Sequence, residues 1–165
     1  MIFKAFVVAG FAALFATVAS AQTPAPAAAP YPSYSYGRTI TLAEARTVAA
    51  AVEVEAKKNG WSMAVTIIEP NGAPVLSEKM DGTQYGSVEV ARKKAETAAA
   101  FRRPTSVFQE AVKGGTLNSI FTGAMAVDGG QPIVSDGHII GAVGVSGALG
   151  VQDDQCAKAG IAVIK

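Results

Sequence analysis

Two charged side chains stand where apolar ones belong, and they are the first candidates for chemistry. Over Ser87–Phe101 a helical period puts Val90, Ala91, Ala98 and Phe101 on one face, with Glu89, Arg92 and Glu96 opposite. Lys94 falls near the middle of the apolar face, and Ser87 shares it. A lysine aimed at a core must snorkel to water, find an acceptor, or border a ligand pocket. A second helix, over Val151–Ile164, turns Cys156, Ala157, Gly160, Val163 and Ile164 inward, with Asp154, Gln155 and Lys158 pointing away. Asp153 lies on that inner face in the first turn, where the helix dipole favours a carboxylate. The two inward charges suggest one another as partners. The expectation is a Lys94–Asp153 pair, direct or through one water, near Ser146 at the end of a glycine-rich strand.

Other constellations are excluded. The chain has one histidine, so neither a two-histidine zinc site nor an H-E-x-x-H site can form. A Cys156–His138 dyad would be a lone pair without a third group to orient it. Ser146 in Gly144-Val145-Ser146-Gly147 misses the G-x-S-x-G spacing, and the second glycine reads as a tight turn. No phosphate loop of the G-x-x-x-x-G-K-[ST] kind is present. Lysine and arginine total 14 against 13 acidic residues, so no strong positive field exists for nucleic acid. The single cysteine rules out an internal disulfide.

The elements that must position these residues begin after two leading segments. Met1–Ala21 reads as a secretory signal, with Lys4 as its positive region, an uncharged run, and Ala19-Ser20-Ala21 as a small-x-small cleavage site. The expectation from it is an exported protein, periplasmic or extracellular. No other stretch of the 165 residues reaches the roughly 18 apolar residues of a membrane span. The segment over residues 22–38 carries four prolines and reads as an extended spacer, with Tyr31, Tyr34 and Tyr36 as a docking alternative. The folded domain, residues 39–165, opens on Thr41-Leu42-Ala43-Glu44, a capping box for a helix to about Lys58. Strands follow at Ser62–Glu69 and Ala73–Asp81 around Pro70-Asn71-Gly72. After the Ser87–Phe101 helix, Pro104 stops the chain and Thr105 caps a short helix to about Lys113. Three further strands are expected at Gly123–Val127, Gln131–Ser135 and His138–Ser146, separated by glycine turns, before the last helix. Tight hairpins predict an antiparallel sheet. The fold class is therefore α+β: a three-layer α/β/α domain around a central five-stranded antiparallel sheet. Gly141, Gly144 and Gly147 predict close approach by a helix, a backbone or a ligand.

Several blocks together resemble the GlcG/HbpS family of small haem-binding and related proteins. They are Met80-Asp81-Gly82, then Ala91-Arg92-Lys93-Lys94-Ala95-Glu96-Thr97-Ala98 with Phe101, then Gly129-Gly130-Gln131-Pro132-Ile133, then Ile140 to Gly147, and finally Asp153 with Ala157-Lys158-Ala159-Gly160. The resemblance covers about Thr41 to Ile164. It implies the same α/β/α domain, homo-oligomeric assembly, and haem or another tetrapyrrole as ligand. Alanine-rich helices agree with close self-association. The cofactor-contacting set expected is Lys94, Asp153, Ser146, Met80 and Asp81. The resemblance requires no histidine at His138, which reads as an exposed turn residue and a weak haem-ligand candidate. Met80, Met125, Tyr85 and Cys156 are further ligands by chemistry alone, with Met125 more naturally a core residue. The expectation is an exported, non-catalytic binder of haem or a related tetrapyrrole. The alternatives are an enzyme or enzyme accessory acting on a small organic acid or corrinoid, with Lys94 holding a carboxylate, and a structural or sensor partner.

Overall fold

The computed structural model describes residues 31–118 and 123–165. The expected signal, and the first part of the expected spacer, lie outside the described residues.

The first helix, α1 (Leu42–Lys58), starts as the sequence dictates. The Thr41 hydroxyl accepts from the Glu44 amide, and the Glu44 carboxylate accepts from the Thr41 amide. Arg38 grips the same carboxylate through two nitrogens, at 2.9 and 2.6 Å, and together these hold its pKa down at about 2. The helices that follow are α2 (Gly86–Phe101), α3 (Thr105–Lys113) and α4 (Gly150–Ile161).

Five strands form one sheet: β1 (Ser35–Tyr36), β2 (Ala64–Ile68), β3 (Pro74–Lys79), β4 (Gly130–Ser135) and β5 (His138–Ser146). β5 is central. It pairs antiparallel with β2 on one edge and with β4 on the other, and β3 extends the sheet beyond β2. β1 pairs parallel with the first residues of β5, on the edge that β2 takes further along. The sheet is therefore mixed, not purely antiparallel.

Two differences from the sequence reading produce that result. Gly123–Val127 forms no strand, because the Met125 amide donates to the Thr97 hydroxyl at 2.8 Å and so ties this stretch to α2. In its place, the end of the proline-rich spacer enters the sheet as β1. Tyr36 anchors it, its hydroxyl donating to the Ala99 carbonyl at 2.8 Å, while Arg102 stacks over the ring and donates to the Tyr34 carbonyl.

The layers follow from strand alternation. Val65 and Ile67 of β2, with Val143 and Val145 of β5, face the core shared with α1 and α4. Ile68 and Ala142 pack with Ala95, Ala98 and Ala99 of α2 on the other side. Gly144 shows how close α2 lies: a Cβ there would overlap the Ala91 carbonyl and the Ala95 amide. Phe101, expected on the apolar face, is 38 % exposed and stacks edge-on against Phe108 at the helix end. Thr105 does not cap α3; its hydroxyl accepts from the Gly130 amide and fixes the start of β4.

Candidate functional site

Small residues on α2 bring it within backbone contact of β5, so the side chain of Lys94 cannot reach water past them. It is 0 % exposed, and its ammonium donates to Asp153 Oδ2 at 2.7 Å and to the Val145 carbonyl at 2.9 Å. Asp153, 2 % exposed, turns its other oxygen to the Ala148 amide at 3.0 Å, just ahead of α4. Gly129 closes the site. Its φ is +110°, and a Cβ there would stand 2.7 Å from both Asp153 Cβ and the Val145 carbonyl, and 3.0 Å from Lys94 Nζ. Only glycine fits. Burial pulls the Lys94 pKa down and pushes the Asp153 pKa up, and the partner's opposite charge restrains each shift. The expected direct pair is present. Its ends are sealed, so its chemistry is that of a tie joining α2, β5 and α4.

Around it lies a wider polar layer that periodicity did not reveal. Gln109 clamps Asp128 at two points, donating to Oδ2 at 2.7 Å and accepting from the Asp128 amide at 3.1 Å. The other oxygen, Oδ1, is buried without a hydrogen-bond partner. Asp154 does not point away: it is buried, accepting from Gln131 at 2.6 Å and from Lys158 at 2.7 Å. The cover comes from β4, which a wheel drawn on α4 cannot include. Asp128 sits beside the Gly129-Gly130 turn, yet no spacing in the chain marks Gln109 as its partner.

The remaining expected residues are dispersed. Ser146 is buried at the last β5 position, opposite Ala64. Met80 is half-buried against the core, its sulfur accepting from the Met63 amide at 3.4 Å. Asp81 is exposed. Neither Met80 nor Asp81 enters the Lys94 hydrogen-bond network. Tyr85 is 89 % exposed. Cys156 is buried, and burial pushes its thiol up to about 11, which suits neither a nucleophile nor a ligand. Among the described residues no three His, Cys, Asp or Glu side chains gather as a metal cluster, and no helix is long and apolar enough to cross a membrane.

Open concavities lie elsewhere. One of about 490 Å³ runs along α2 and is lined by Lys93, Thr97, Phe101 and Met125 among others. A groove of about 240 Å³ separates α2 from the β2–β3 hairpin, with Thr66, Ile68 and Ser77 on one side and Val88 and Arg92 on the other. A third, about 310 Å³, lies at the β4–β5 turn, where Tyr36, Arg38 and His138 meet.

The family described as haem degrading protein HbpS-like matches residues 40–162. The chain belongs to the HbpS-like family. Protein GlcG of Escherichia coli (strain K12) is 39 % identical over 103 residues, which is 62 % of this chain and 77 % of GlcG. A double mutant of Streptomyces reticuli HbpS superposes with a TM-score of 0.72 at 30 % identity, covering 87 % of this chain and 99 % of that one. The solved PduOC:heme complex superposes at 0.71 with 26 % identity, over 77 % of this chain and 96 % of that one. HbpS-like kinship accounts for the order of the blocks from Met80 to Gly160. In this HbpS-like chain, the lysine and aspartate of those blocks form the buried tie just described.

Proposed function

We propose that this protein is an exported binder of haem or a related tetrapyrrole, self-associating and without catalytic activity of its own. The observation that carries the reading is membership of the HbpS-like family, whose description is of haem degrading proteins, supported by likeness to PduOC, which is solved in complex with haem. The uncharged run after Lys4, with Ala19-Ser20-Ala21 behind it, supports export. Binding is favoured over catalysis because Lys94 and Asp153, the inward acid–base pair, are sealed from any substrate.

That same burial bears on where the group sits. The Lys94–Asp153–Ser146 end of β5 has no room for a macrocycle, so it does not fit. The concavity along α2 fits better, since Ala100 and Phe101 give it an apolar wall, Lys93 a cation, and Met125 a thioether that haem iron accepts. Haem would supply a metal centre that takes axial ligands. The chain would supply the donor, the apolar contact and a cation for the peripheral carboxylates.

The test is titration of the purified chain with hemin, with cobalamin and small organic acids as parallel arms. A saturable Soret shift at micromolar protein is expected. A response to an organic acid alone would replace this reading with the enzyme-accessory one.

A further inference from the structure

Met125 is withheld from the sheet by one side chain of α2. Its backbone amide donates to the Thr97 hydroxyl at 2.8 Å, and Thr97 is only 5 % exposed. A hydroxyl oxygen has two lone pairs and accepts such an amide readily. The bond lays the Met125 segment along the helix, and the half-buried Met125 lines the concavity of about 490 Å³ found there. That volume lies within the roughly 300–1,000 Å³ usual for small-molecule sites. The other thioethers among the described residues are engaged elsewhere. Met63 is wholly buried in the core, and the Met80 sulfur accepts from the Met63 amide.

One stripe of α2 supplies the opposite wall. Lys93, Thr97 and Phe101 recur every four residues, so they share a face. Lys93 and Phe101 stand roughly 12 Å apart at about 1.5 Å per residue, with Thr97, and so Met125, midway. The Phe101 ring is held edge-on by Phe108, at 4.9 Å between centroids, and remains partly exposed. Glu96 also lines the concavity, but Arg92 bonds it. Arg92 takes Glu89 as well, at 2.6 Å, which leaves Lys93 a looser contact with Glu89 at 3.6 Å. Lys93 is thus the least neutralised cation on this face.

We infer that Met125 Sδ is the axial donor to the metal of a metallo-tetrapyrrole lying along α2, and that Thr97 is the residue that positions it. Phe101 contacts the macrocycle, and Lys93 meets a peripheral carboxylate. A sulfur lone pair makes the bond to the metal. The thioether is neutral, so no proton moves and nothing is oxidised. It is also a soft ligand and favours ferrous over ferric iron. This assignment rests on the tetrapyrrole reading above and adds to it a ligand and the residue that holds it.

The test compares the full chain with Met125→Leu, Thr97→Val and Thr97→Ser, using hemin, oxidised and dithionite-reduced, and metal-free protoporphyrin IX as probes. Leucine keeps the volume of methionine and loses the sulfur, so Met125→Leu should fold as the parent does. It should weaken binding of reduced hemin at least tenfold and move the Soret band. Protoporphyrin IX, which has no metal to ligate, should bind the two proteins within about twofold of one another. Thr97→Val should weaken hemin binding severalfold, and Thr97→Ser, which can still accept from the Met125 amide, should retain it with the parent's spectrum. If reduced hemin binds Met125→Leu with the parent's affinity and spectrum, the assignment fails while the tetrapyrrole reading stands. Equal losses of hemin and protoporphyrin IX in Met125→Leu would make Met125 an apolar wall and overturn its role as ligand. Unchanged hemin binding by Thr97→Val would strike out the positioning role. No saturable shift in the parent would overturn both readings.

Discussion

At the scale of single residues, Lys94 is governed by the imbalance between desolvation and pairing. An ammonium with no exposed surface loses its hydration, and one carboxylate plus one carbonyl must replace it. Net stabilisation from such a pair is small, but removing one partner is different. Lys94→Met strands Asp153 in the interior and should cost roughly 3–5 kcal/mol in urea denaturation. Asp153→Asn should cost a similar amount by stranding the lysine. Because each substitution already breaks the same bond, the double variant should lose clearly less than the two losses added. Strict additivity would show that the residues act separately, against the 2.7 Å contact.

At the scale of elements, the tie works only because α2 lies against β5 without intervening side chains. Gly144 is the point of contact, and the atoms a Cβ would meet belong to the α2 backbone, which cannot rotate aside. Gly144→Ala should therefore force the helix off the sheet and cost about 3 kcal/mol or more, at or beyond the upper end of ordinary overpacking. Gly86→Ala is the control. It lies in the first turn of the same helix with open space around it, so it should be neutral or gain up to about 1 kcal/mol. Equal thermal melts for both variants would contradict the close packing. Gly144 thus marks approach by a helix and not a ligand wall, whereas a Cβ on Gly141 would meet the Ile68 carbonyl of β2 and the Ile40 side chain.

At the scale of the whole molecule, the segment ahead of α1 completes the sheet. β1 fills the stretch of the β5 edge that β2 does not reach, and Tyr36 and Arg102 fasten it to the C-terminal end of α2. A chain starting at Tyr31 retains these contacts; one starting at Thr39 loses them. The shorter chain should melt at least about 5 °C lower, the shift that roughly 1–2 kcal/mol produces in a domain of this size. Equal melting temperatures would make the segment a spacer after all.

Much of this protein is written locally in its sequence. Thr41 and Glu44 define the start of α1 because a capping box needs only residues three apart. The inward setting of Lys94 and Asp153 is legible for the same reason, since a helical period reports which way each side chain faces. Their pairing follows from two inward opposite charges in one small domain, since each is the other's natural partner. What local pattern could not decide is what covers each face. Asp154 reads as solvent-facing on its own helix, yet Gln131, 23 residues away, buries it. Gly123–Val127 has the composition of a strand, but the Thr97 hydroxyl takes the Met125 amide and leaves no ladder to join. Ser35–Tyr36 has the composition of a spacer, yet β5 has an unfilled edge that pairs with it. The state of the Lys94 site belongs to the same class: Gly129, the Val145 carbonyl and the Ala148 amide close around the pair only when three distant segments pack together. Facing is a property of one element, whereas burial and hydrogen-bond partnership depend on which elements meet, and that is determined by the tertiary packing alone.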